Sequence, residues 1–136
     1  MVPARILIVD DDPDVLHMMA LALQTRGYIC HEAATGAEAL EAVDRQCPDV
    51  IISDLVMPHM GGLELLRTIK AKGCESEFLL LTGHACVRVA VEAIENGADE
   101  CLVKPVQLDY LQEILERRGF FGREDRRKQD RRRTKD

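Results

Sequence analysis

Residues 5–13 read RILIVDDDP: an apolar run from Ile6 to Val9, three successive aspartates, Asp10, Asp11 and Asp12, and then Pro13. Uninterrupted apolar residues describe a strand covered on both faces, as in a parallel sheet. Asp12-Pro13 is a helix start, with a carboxylate to accept orphan N–H groups and a proline preset for the first turn. One short stretch therefore spells strand, acidic turn, helix.

The same unit recurs along the chain. A helix from Pro13 runs to about Arg26 and stops at Gly27, with Val15, Met19, Ala22 and Leu23 on one face. Tyr28 to Ala33 is a second, weaker strand, and Thr35-Gly36-Ala37-Glu38 opens a helix ending near Gln46. Asp49 to Ser53 is the third strand, followed by a helix from Leu63 to Lys72. Phe78 to Thr82 is the fourth, followed by a helix from Ala85 to Asn96. Glu100 to Val103 is the fifth, followed by a helix from Gln107 to about Arg118 in which Leu108, Leu111 and Leu115 align. Five β-α units predict an α/β fold: a parallel sheet with helices on both faces.

Charge divides the chain differently. The net −6 hides a basic end: residues 123–136 hold eight basic and four acidic residues, and the remainder carries −10. Taken whole, the net −6 argues against general nucleic-acid binding, but the basic end needs its own reading. Residues 119–136 lack apolar periodicity and read as a disordered basic tail or a solvated helix. An electrostatic arm is the sharper reading of that tail. No apolar run is long enough for a membrane helix or a secretory signal. The cysteines, Cys30, Cys47, Cys74, Cys86 and Cys101, are odd in number, widely spaced and free of C-x-x-C pairs. That predicts reduced, buried thiols in a cytosol, neither a disulfide framework nor a zinc site. The four histidines show no ligand spacing.

Ligands of open α/β sheets bind beyond the carboxyl ends of the strands. There this sequence places Asp10 and Asp11, Asp54, Thr82, and Lys104 followed by Pro105. If the first and third strands are neighbours, three carboxylates converge. Two carboxylates about 5 Å apart repel by roughly 3 kcal/mol at an effective dielectric of 20. A hard divalent cation relieves this, and an all-oxygen ligand set suits Mg2+. Metal, nucleophilic carboxylate, cation and hydroxyl donor form a set suited to holding a phosphoryl group. Asp12 is read as the helix cap.

These residues carry a resemblance. ILIVDDDP (6–13), DVIISDLVMPHMGGLELL (49–66), LLLTGHA (79–85) and GADECLVKP (97–105) make residues 5 to about 118 similar to the CheY-like receiver domain of two-component response regulators. The resemblance implies a doubly wound, five-stranded parallel sheet, (βα)5 and flavodoxin-like, of strand order 2-1-3-4-5. It implies Asp54 as phospho-acceptor. Mg2+ would be held by Asp10, Asp11, Asp54 and the backbone carbonyl of Val56. Thr82 and Lys104 would contact the phosphoryl group. A sensor histidine kinase or phosphotransfer protein would be the donor. The chain would be a signalling switch in a phosphorelay, catalysing only its own phosphorylation and dephosphorylation. A cis bond is expected at Lys104-Pro105. Gly61 and Gly62 match the turn after the phosphorylation loop.

Two positions depart from the pattern. The aromatic that usually stands three residues before the lysine is Cys101, and the residue after Lys-Pro is Val106. Both concern the output route, not the phosphoryl chemistry. Val56 and His84 occupy positions that influence phosphate lifetime in the family. The family's usual contact face, fourth helix to fifth helix, would include Val87, Val91, Cys101 and Gln107 and offers a homodimer surface.

The expected organisation is a receiver over 1–118, in the cytoplasm, either single-domain or a piece of a longer protein, with residues 119–136 too few for a DNA-binding domain. The alternative is a receiver-fold scaffold acting by protein contact or through its tail without phosphorylation. A haloacid-dehalogenase-type phosphohydrolase needs an acid where Val56 stands. A flavodoxin-like binder would meet an anion-repelling Asp10-Asp11-Asp12 in its phosphate loop.

Overall fold

The computed structural model describes residues 2–83 and 87–123. Ten elements alternate: β1 (Arg5–Val9), α1 (Pro13–Thr25), β2 (Ile29–Ala33), α2 (Gly36–Arg45), β3 (Val50–Asp54), α3 (Gly62–Ala71), β4 (Glu77–Thr82), α4 (Val87–Glu95), β5 (Glu100–Val103) and α5 (Leu108–Arg117). The five strands form one parallel sheet ordered β2-β1-β3-β4-β5. This is the doubly wound order expected from the sequence.

Alternation along each strand separates two cores. Ile6, Ile8, Val50, Ile52, Leu79 and Leu81 pack with α1 and α5. Leu7, Val9, Ile51, Phe78 and Leu80 pack with α2, α3 and Ala93 of α4. With both faces covered, the inner strands need apolar residues at every position. Edge strand β2, ICHEA, buries only Ala33 fully, which is why it reads weakly.

Local signals explain the helix starts. The Asp12 side chain accepts from the backbone N–H groups of Asp14 and Val15. Thr35 accepts from the Glu38 N–H, while the Glu38 carboxylate reaches back to the N–H of Ala34. Gly27, with φ of 95°, closes α1 in the left-handed region that favours glycine.

Three expectations change. The buried stripe of α1 is Leu16, Met19, Ala20 and Leu23, so Val15 and Ala22 are only half-buried. The helix is apolar over most of its girth, and periodicity alone does not choose between adjacent stripes. Val15 and Ala22 instead line an apolar groove of about 490 Å³ with Met18, Pro105, Val106 and Leu108.

Second, Cys47 and Cys74 are joined by a disulfide, with Cα atoms 5.8 Å apart. Cys47 precedes β3 and Cys74 precedes β4. The pairing of β3 with β4 brings the two loops together, although 27 residues separate them in sequence. The expectation of uniformly buried thiols also fails. Cys47 is exposed, and Cys30 and Cys101 are half-buried.

Third, the chain stays packed past Gly119. Phe121 O accepts from Ala4 N, Arg123 N donates to Gly27 O, and the Tyr28 hydroxyl donates to Phe120 O. The rest of the basic segment, 124–136, lies outside the described residues.

Candidate functional site

The register of the sheet builds the site. Val9 pairs with Ser53, and Asp54 pairs with Leu81. Asp10 therefore emerges one row beyond Val9, beside Asp54. Thr82 pairs with Val103 at the next row, and Lys104 follows immediately. Side chains from the ends of β1, β3 and β5 meet at the carboxyl edge of the sheet, with Thr82 ending β4 between them in strand order.

Carboxylate oxygens of Asp10, Asp11 and Asp54 all lie within 4.8 Å of one another. Asp10 is buried at 3% exposure, Asp54 is half-buried and Asp11 is exposed. Asp10 Oδ1 accepts from the Asp12 N–H at 2.9 Å, which orients that carboxylate. Lys104 Nζ donates to Asp10 Oδ2 and Asp54 Oδ2, each at 3.0 Å. Burial alone would lower the pKa of Lys104. Its hydrogen bonds to Asp54 and Asp10 and their negative charges outweigh that, and the ammonium titrates above the ordinary lysine range.

The backbone holds these groups in place. Lys104 N donates to Thr82 O at 2.8 Å, and Leu55 N donates to Leu81 O at 2.8 Å. The Lys104-Pro105 peptide is cis. Thr82 is buried at 5% exposure at the end of β4. The loop after Asp54 is pinned by Gly62 N donating to Leu55 O. A Cβ on Gly62 would lie 2.5 Å from Asp54 O and 2.6 Å from Leu80 Cδ2, so only glycine fits that approach.

The structure thus brings together Asp10, Asp11, Asp54 and Lys104, with Thr82 on the adjoining strand. Val56 lies two residues beyond Asp54, its side chain 73% exposed. His84 lies outside the described residues. Cys101 is half-buried in β5 opposite Leu80, against the α2–α4 core, and burial raises its thiol pKa. It takes no part in the carboxylate cluster. On the α4-β5-α5 face, Val87 and Val91 are exposed, as are Ile94, Val103 and Tyr110. The sequence reading did not anticipate that Lys104 bridges two of the carboxylates, because the Asp10 to Lys104 separation of 94 residues carries no local signal.

A doubly wound sheet with three carboxylates and a lysine at its carboxyl edge defines an α/β protein with an acidic, cation-ready site. Its sequence matches the response regulator receiver domain family over residues 6–116, and the chain belongs to that family. Transcriptional regulatory protein GlrR of Escherichia coli K12 is 37% identical over 84% of this chain and 26% of its own length. Transcriptional regulatory protein TrcR of Mycobacterium tuberculosis is 33% identical over 89% of this chain and 46% of its own length. The chain thus spans between about a quarter and a half of these relatives. Among solved structures, chemotaxis protein CheY4 of Vibrio cholerae superposes with a TM-score of 0.81 at 34% identity, covering 85% of this chain and 98% of that one. A receiver domain protein from Clostridium thermocellum gives a TM-score of 0.79 at 32% identity, over 84% and 92%.

Proposed function

We propose that Asp54 accepts a phosphoryl group from a phosphohistidine on a sensor histidine kinase or phosphotransfer protein, and that the chain is a phosphorelay switch. The observation that carries this is the cluster of Asp10, Asp11 and Asp54 bridged by Lys104. Three clustered carboxylates and one ammonium leave a net −2, a charge and donor set that fits Mg2+. Asp10, Asp11, Asp54 and the Val56 carbonyl would hold the ion. When bound, it neutralises charge on the transferring phosphoryl oxygens.

The Asp54 carboxylate attacks phosphorus in line with the departing nitrogen. The P–O bond forms as the P–N bond breaks, and the bond pair leaves on the donor imidazole, which takes up a proton. Lys104 changes partner from the Asp54 carboxylate to a phosphoryl oxygen. The Thr82 hydroxyl donates to another. Hydrolysis of the acyl phosphate by water returns the resting state, and Val56 and His84, two residues after Asp54 and Thr82 in sequence, are the residues proposed to influence its lifetime. Since Cys101 offers no aromatic ring to reorient, output runs through Thr82 and the α4-β5-α5 face, which is also the proposed homodimer surface. The proposed location is cytoplasmic, where such donors reside. The proposed organisation is a receiver over 1–118, with the packed segment 119–123 against it, followed by a basic tail.

The test is labelling by a small phosphodonor such as phosphoramidate, read by intact mass. A gain of one phosphoryl group is expected with Mg2+ and none in Asp54→Asn. Unchanged labelling in that variant refutes the assignment. A parent that takes no label in Mg2+ favours a scaffold role without phosphorylation.

A further inference from the structure

Away from the carboxylate site, one pair of side chains carries chemistry that phosphoryl transfer does not use. The Cys47–Cys74 disulfide lies where the chain enters β3 and β4, at the end of the sheet opposite Asp54. Cys47 is exposed, whereas Cys74 is buried at 9% exposure. Ser76, buried at 5%, places its hydroxyl 3.4 Å from Cys47 Sγ and 3.1 Å from Cys74 Sγ, and donates to the Pro48 carbonyl.

This surrounding suits both redox states. A disulfide has no proton to donate, so the Ser76 proton goes to Pro48 and its lone pairs turn toward the sulfurs. When the bond opens, the Cys74 S–H donates to that same oxygen, and no buried donor is orphaned. The closed loop contains all of β3, Asp54 and α3. Among the described residues the free thiols are those of Cys30 and Cys101, which burial pushes up so that they compete poorly as nucleophiles; Cys86 lies outside the described residues.

We propose that Cys47–Cys74 is a reversible redox staple, opened and closed by thiol–disulfide exchange with small thiols and disulfides of the glutathione type. A thiolate attacks Cys47 Sγ, the S–S bond breaks, and its electron pair leaves on Cys74 Sγ, which takes a proton from water. A second thiolate attacks the small-molecule sulfur of the mixed disulfide and releases Cys47 as a thiol after protonation. The protein disulfide is reduced by two electrons, and two small thiols are oxidised to one small disulfide. Closure is the reverse. The staple acts on the unfolded chain by constraining the loop that contains Asp54, and leaves the phosphorylation geometry intact.

The experiment equilibrates the folded full chain across ratios of reduced to oxidised glutathione, traps thiols with iodoacetamide and assigns Cys47 and Cys74 by mass spectrometry. Melting curves follow for each form. A single two-electron transition is expected, with both forms folded and the reduced form melting lower by on the order of 10 °C. Cys47→Ser, at an exposed position, melts like the reduced parent and shows no transition. Three results each overturn the proposal: no bond in excess glutathione disulfide, a bond intact in excess reduced glutathione, or equal melting of the two forms. None of these readouts depends on phosphorylation of Asp54.

Discussion

Replacing Asp11 with Asn separates folding stability from metal binding and moves them in opposite directions. Asp11 faces Asp10 and Asp54 within 4.8 Å, and Lys104 bridges the other two. Two carboxylates and one ammonium sum to −1, so Asp11 experiences roughly one net repulsion. At 4.8 Å that is about 3.5 kcal/mol at a dielectric of 20 and about 0.9 kcal/mol in bulk water. Asp11 is exposed, so the lower figure governs. Asp11→Asn is therefore expected to stabilise the metal-free protein by about 1 kcal/mol, a rise in melting temperature of about 3 °C. With Mg2+ the order reverses. A site stabilised by about 2.7 kcal/mol at a hundredfold excess over Kd gains only about 1.4 kcal/mol if affinity falls tenfold. Paired melts in EDTA and in Mg2+ check this. A variant less stable than the parent in EDTA, or one with an undiminished Mg2+ shift, refutes the electrostatic account of the cluster.

Gly62→Ala is expected to cost about 1–3 kcal/mol in denaturant melts, because the new Cβ would sit 2.5 Å from Asp54 O and force the loop outward. Phosphoryl transfer slows with it, and normal stability in the variant would show that the loop yields freely. Alkaline pH provides a separate check. Burial raises Tyr28 to about 12, helped by the negative charge of Glu116 and opposed by the positive charge of Arg26, and burial raises Cys30 to about 11 with help from Glu32. Both groups hold their protons more tightly when folded, so their contribution is complete below pH 9 and is lost as pH rises toward 12. Tyr28→Phe loses the 2.9 Å hydrogen bond to Phe120 O, about 1 kcal/mol at neutral pH, and its stability falls less steeply above pH 10. An equal alkaline slope in that variant would remove Tyr28 as a cause.

The gathering of the candidate residues was legible because Asp10, Asp54, Thr82 and Lys104 each stand where a strand ends. Val9 to Asp10, Ser53 to Asp54, Leu81 to Thr82 and Val103 to Lys104 each mark where a buried strand meets solvent. Elements followed the same logic, since buried parallel strands and capped helices carry local signals. The inward face of α1 was not legible, because a helix rich in Leu, Met and Ala offers more than one apolar stripe. The Cys47–Cys74 bond was not legible either, since spacing in sequence says nothing about which loops adjoin across a sheet.

Sequence by itself determined the five β-α units, their parallel class and the residues at the strand ends, because backbone covering and capping act within a few residues. Local signals left open which strands adjoin; the family resemblance supplied the order, and the tertiary structure set β1 against β3 in the register that brings Asp10 and Asp54 together. It also decided that Lys104 spans both carboxylates, and that the loops before β3 and β4 come close enough to bond. Charge and sulfur chemistry depend on distances of a few ångströms. Only the register of the sheet sets such distances between residues far apart in the chain.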